Sequence, residues 1–172
     1  MNRFTLAIFS AALSLFLYGC AGYHIGPVKP KFMDGVKTVA VPTFDNETLI
    51  PRLEVVGAGT LIKQLQQDGT FKIEGSETAD AIVECSISRI NRNPARTAIS
   101  DVVATLEYNL KITVKYKVTK RSSGELLDSG DVVGETSFFV SGNDVNQDEQ
   151  QAIPLAIENA AVRLTSILTE GW

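Results

Sequence analysis

Few side chains in this 172-residue chain are equipped to make or break covalent bonds. The cysteines are Cys20 and Cys85, and His24 is the sole histidine. Nucleophilic catalysis by serine or cysteine needs a base that the fold holds beside the nucleophile. His24 lies in a stretch rich in Gly, Pro and Lys, close to Cys20, where little can hold it. A zinc site needs a set of His and Cys ligands that the chain does not contain. Its carboxylates fall in no recognisable catalytic frame. We therefore expect no enzyme, no metal and no cofactor. The residue with a chemical future is Cys20, because of what precedes it.

After Arg3 the chain is apolar from Phe4 to Tyr18, broken only by Thr5, Ser10 and Ser14. That run is shorter than the roughly 20 apolar residues of a spanning helix. It has the build of a secretory leader: one positive charge, an apolar stretch, then small residues. Leu17-Tyr18-Gly19-Cys20 resembles the bacterial lipobox, in which the leader is cut before the cysteine and the new N-terminus is acylated. Residues 1–19 are thus predicted to be a lipoprotein-type signal peptide. Cys20 becomes the lipidation site, a palmitate-bearing anchor to the membrane; several acyl chains hold stably, at about 0.8 kcal/mol per buried methylene. Ala21 after the cysteine, by resemblance to known lipoproteins, favours the outer membrane, with the protein on its periplasmic side.

The remainder, about 150 residues, is one domain of ordinary size with room for its own core. A net charge of −4 argues against nucleic acid, which needs a basic stripe. Cys85 is left without an internal partner, so stability has to come from packing.

The elements follow from periodicity. Residues 20–35, rich in Gly, Pro and Lys, read as an extended tether; residues 36–172 read as a single domain. Val36–Phe44 is β-branched and reads as a strand. A turn follows, then a helix from Pro51 to about Gln67 with Leu53, Val56, Thr60, Leu61 and Leu65 as its stripe. Gly57 and Gly59 suggest close approach of this helix to a sheet. After a short extended piece at Phe71–Ile73, Ala81–Ile90 alternates, with Cys85 facing the core. Asn91 to Ser100, with Pro94, reads as a loop. Val102–Val118 alternates strictly, apolar on one face and Lys111, Lys115 and Lys117 on the other. A hairpin turn leads to Glu125–Phe139, where Gly130 and Gly134 suggest a bulge or a tight backbone approach. Ile153, Ile157, Ala160, Leu164 and Ile167 mark a last helix running to Leu168, with Pro154 in an early turn. The order β-α-β-β-β-α predicts an α+β, two-layer sandwich: a four-stranded sheet with two helices on one face.

Cys20-Ala-Gly-Tyr-His; Val39 to Glu54, carrying Pro42, Phe44, Asn46 and Thr48 as Pro-x-Phe-x-Asn-x-Thr, then Pro51, Leu53 and Glu54; "LEYNL"; and the final helix together resemble the LptE-like family of lipopolysaccharide-assembly lipoproteins. The resemblance implies a non-catalytic role. Family members plug a large outer-membrane β-barrel translocon, assist its assembly and bind lipopolysaccharide during delivery to the cell surface. It also implies ligand binding by basic side chains at one end of the sheet, where Arg can engage phosphate bidentately. Arg89, Arg92 and Arg96 occupy the loop before the long strand, and Lys120 and Arg121 the next hairpin. Arg96 best matches the family's basic position; the candidates are Arg92, Arg96, Lys120 and Arg121. A solvated surface explains the same charges. The family's other basic position, ahead of the final helix, falls on a stretch here without Lys or Arg. "VAVPTFDN" also resembles the first strand of secretion-channel lipoproteins that form rings. The alternative is therefore an oligomeric periplasmic lipoprotein of a secretion or envelope-scaffold system.

Overall fold

The computed structural model describes residues 29–96, 106–140 and 145–171. The expected leader, Cys20 and His24 lie outside these. In chain order the elements are β1 (Thr38–Ala40), β2 (Asp45–Asn46), α1 (Leu53–Asp68), β3 (Lys72–Ile73), β4 (Ala81–Arg96), β5 (Leu106–Lys120), β6 (Leu126–Val140) and α2 (Val145–Glu170). A 3-10 turn at Lys31–Met33 precedes them, and Met33 is fully buried. Part of the stretch read as tether is therefore packed into the domain.

The α+β class and the paired helices match the expectation; among the described residues the sheet has six strands rather than four. Its order is β3-β1-β4-β5-β6, with β2 on β4 beyond β1. β1 runs parallel to β3 and β4, and β2 parallel to β4. The strand expected over Val36–Phe44 breaks after Ala40, and β2 takes up the pairing at Ser86–Ile87. The piece at Phe71–Ile73 is an edge strand, paired through Lys72 to Thr38. Strands of two residues show no period, so only the partner reveals them.

The loop expected from Asn91 is a second correction. β4 continues to Arg96, with Arg92 opposite Leu110 and Pro94 opposite Tyr108. β1 and β2 pair only with the first half of β4, so among the described strands its far half borders β5 alone. Proline is tolerated in such an edge.

Gly130 and Gly134 mark no bulge. The β5–β6 register slips instead at Val118/Thr119. The glycines mark close approach: a Cβ on Gly134 would lie 1.9 Å from the Ala156 carbonyl oxygen, so α2 rests directly on β6. Gly57 likewise accommodates the Phe44 ring, 2.6 Å from where its Cβ would stand.

α1 begins at Leu53 rather than Pro51 because Arg52 takes a left-handed φ of 71°. Its buried stripe is Leu53, Gly57, Ala58, Leu61 and Leu65, with Val56 exposed and Thr60 half-buried. α2 buries Ile153, Ile157, Ala160, Leu164 and Leu168, and encloses Pro154 well inside its length. Both helices cover the sheet face formed by Val83, Cys85, Ile87, Leu110, Ile112, Val114, Tyr116 and Val118, making one core. On the opposite face Lys111 pairs with Glu135, Lys115 with Glu47 and Lys117 with Glu84. Exposed pairs of this kind stabilise by about 1 kcal/mol at most. Among the described residues, no helix is long and apolar enough to cross a membrane.

Candidate functional site

The Pro42–Glu54 stretch is built as a clamp. β2 leaves Asn46 at the start of a tight turn. Asn46 Oδ1 accepts from the Thr48 N–H at 3.0 Å and from its hydroxyl at 2.6 Å. Asn46 Nδ2 donates to the Ile50 carbonyl at 2.8 Å and to Glu54 Oε2 at 3.0 Å. One amide thus ties the turn to the first turn of α1. Backbone N–H donation, chiefly at Glu54 itself, and then the Asn46 amide hold the Glu54 carboxyl below its ordinary 4.5. Phe44 is buried against Gly57. Every polar atom of this motif that the clamp uses is spent on the fold.

The basic candidates divide between the two ends of the long strands. At the far end, Arg92 lies on the helix-bearing face of β4, as its register with buried Leu110 requires. Its guanidinium stands 5.5 Å from the Tyr108 ring centroid and pairs with Glu149 in the first turns of α2. Tyr108 in turn stacks on Phe138 of β6, centroids 5.7 Å apart. Cation–π contact of this kind is worth about 0.5–1 kcal/mol when exposed. The arrangement is an arginine backed by an aromatic pair and held by one carboxylate, with a third of its side chain open to solvent. An anion that displaced Glu149 would meet a pre-aimed guanidinium fork. Arg96 follows on the same strand, in register with Glu107.

Lys120 and Arg121 sit at the other end. Lys120 pairs across to Ala81, so it lies eleven residues along β4 from Arg92, about 36 Å at roughly 3.3 Å per residue. Arg121 Nε donates to the Ala79 carbonyl at 2.7 Å, and its backbone N–H to the Asp80 carbonyl at 3.0 Å. That arginine fastens the hairpin to the loop before β4. The four candidates therefore form two separate places, with Arg89 apart on β4. Asp80 Oδ2 accepts from the Lys37 and Thr38 N–H groups, which hold its carboxyl below the ordinary 3.8.

Glu149 and the Tyr108–Phe138 stack are the partners that sequence reasoning missed. Glu149 reads only as a charge favoured by a helix N-terminus, and Tyr108 as core. No local signal links Arg92 to a residue 57 positions away. Cys85 is buried, and loss of solvation pushes its thiol up to about 12. Among the described residues no cluster of His, Cys, Asp and Glu is suited to a metal.

The family model described as LptE, lipopolysaccharide-assembly, matches residues 36–168. No curated protein matches the chain significantly. Solved structures with a similar fold include a minor lipoprotein from Acinetobacter baumannii, at 15% identity over 78% of this chain and 93% of that one, TM-score 0.50. A putative neuraminyllactose-binding hemagglutinin homologue from Helicobacter pylori aligns at 14% identity over 86% and 92%, TM-score 0.52. The hypothetical protein CT253 from Chlamydia trachomatis aligns at 11% over 77% and 93%, TM-score 0.51. At such identities the likeness is one of fold.

Proposed function

This chain belongs to the LptE lipopolysaccharide-assembly family, and from that premise we propose that it is a lipid-anchored outer-membrane component which assembles with a large β-barrel translocon and helps deliver lipopolysaccharide to the cell surface. The match over residues 36–168 carries the reading. The Leu-x-Gly-Cys sequence at 17–20 supports it, since it would cut the chain before Cys20 and anchor it on the periplasmic side. The open sheet face, studded with paired lysines and carboxylates, suits a plug bordered by a polar lumen. No step of bond chemistry is assigned to the chain. Its work is binding and placement, and Arg92 with Arg96 would be the first contacts for an anionic headgroup.

The test is a mild-detergent purification of the tagged, lipidated protein from its native envelope, with every partner identified by mass. A stoichiometric large outer-membrane barrel is the expected result. Recovery of self-assembled rings alone, or of secretion components, would overturn the reading in favour of a secretion or scaffold role.

A further inference from the structure

β6 is the outermost strand beyond β5, and no other described strand pairs with its free side. It is 15 residues long, and a long open edge is the part of a sheet most ready to accept another strand. Glu135 shows which residues aim backbone groups outward. Its N–H leaves the ladder and donates to Asn159 Oδ1 of α2 at 3.1 Å. The register with β5 is unbroken between Asp131 and Glu135, and outward groups alternate along an antiparallel strand. Asp131 and Val133 therefore aim their N–H groups the same way. Beside them lies an open groove of about 710 Å³ between β6 and the last turns of α2, lined by Asp131, Val133, Val162, Arg163, Ile167 and Glu170.

The chain enters the domain at one end of this groove. Pro30 packs on Gly171, next to Glu170; a Cβ on that glycine would stand 3.1 Å from Pro30 Cβ. The turn at Lys31–Met33 also touches β6. Cys20 to Val28 can span about 26 Å when extended, at roughly 3.3 Å per residue. Asp131 to Glu135 occupies only about 13 Å on the same measure. Because β6 starts near this entry, a segment laid along it toward Pro30 runs antiparallel, the arrangement a sheet edge accepts readily. Tyr23-His24-Ile25-Gly26-Pro27-Val28 alternates apolar Tyr23 and Ile25, which suit Val132, Val162 and Ile167 on the helix-bearing side of the groove. Pro27 is admissible at an outermost strand. Covalent connection gives the segment an effective concentration in the millimolar range, which a free competitor has to match.

We propose that the segment of this chain just after the predicted lipidation site, about Gly22 to Val28, adds to the free edge of β6 and fills the groove against α2. The test is residue-resolved amide exchange on the full-length lipidated protein in micelles, compared with Tyr23→Asp/Ile25→Asp, which leaves Leu17–Cys20 intact. The Ile112 amide in the central strand reports that both proteins are folded. In the native chain the Asp131 and Val133 amides should be protected by about 100-fold or more, and the variant should lose at least tenfold of that. Rapid exchange at both amides in the native chain would overturn the proposal. So would protection that survives the double substitution, which would assign the edge to a second copy or another partner.

Discussion

Gly134 and Ala156 stand so close that no side chain fits between them: a Cβ on the glycine would lie 1.9 Å from the alanine's carbonyl oxygen. The second layer is seated on the first through bare backbone. Gly134→Ala should destabilise the domain by about 1–3 kcal/mol, since the obstacle is main chain and cannot swing aside. Gly59→Ala is the counterpart: nothing lies within 4 Å of its Cβ position, in mid-helix. That change should stabilise by about 0.5–1 kcal/mol. Urea midpoints for both variants check the pair; equal shifts would refute the packing argument.

Asn46→Ala removes the acceptor for Thr48 and the donor to Ile50 and Glu54 together. With these groups half buried, the loss should be about 1–3 kcal/mol. Chemical denaturation measures it. Thr48→Ser, which keeps the hydroxyl, should cost much less.

Acid should weaken the join between β1 and the loop before β4. The folded Asp80 carboxyl releases its proton more readily than an unfolded one, because two backbone N–H groups stabilise its anion. Its contribution is therefore complete above about pH 3.8 and is lost as the pH falls through the lower folded value. The group is exposed, so the effect is small. Asp80→Asn should flatten this part of a stability–pH curve recorded between pH 5 and 2, and an unchanged slope would contradict the assignment.

Arg92→Ala with Arg96→Ala should weaken binding of lipopolysaccharide by about tenfold at low salt, with less difference at high salt. Lys120→Ala should not, since it lies about 36 Å away on the register of β4. Arg121 is set aside from this comparison, because its bond to the Ala79 carbonyl gives it a structural task. Affinity measured by fluorescence titration decides between them; equal losses for both ends would point to unspecific charge attraction.

What the sequence revealed was whatever repeats with a short local period. The alternation through Leu110, Ile112, Val114, Tyr116 and Val118 and the stripe through Ile153, Ile157 and Leu164 appear in the structure as read, because burial on one face imposes them. Cys85 facing the core was legible for the same local reason. β3 was legible only as an extended piece at Phe71–Ile73 and β2 not at all, since a pair of residues becomes a strand only through a distant partner. The continuation of β4 past Pro94 was hidden because proline speaks against a strand unless its edge position is known. The Arg92–Glu149–Tyr108 arrangement joins three elements, and its acidic member looked like a helix-end charge. In the motif shared with the family, Asn46 ties Thr48, Ile50 and Glu54 into one turn.

The entry of the chain beside Gly171 and the position of Arg92 at the far end of β4 also have a mechanical meaning. Three long strands paired almost end to end resist bending, so the two ends of the domain have to move together as one stiff body. Over a length of about 36 Å, a tilt of the whole body by roughly 10° about its chain-entry end would carry Arg92 through about 6 Å. That is more than the reach of a hydrogen bond and comparable to one sugar ring, so a small rocking at the base is enough to make or break a contact at the tip.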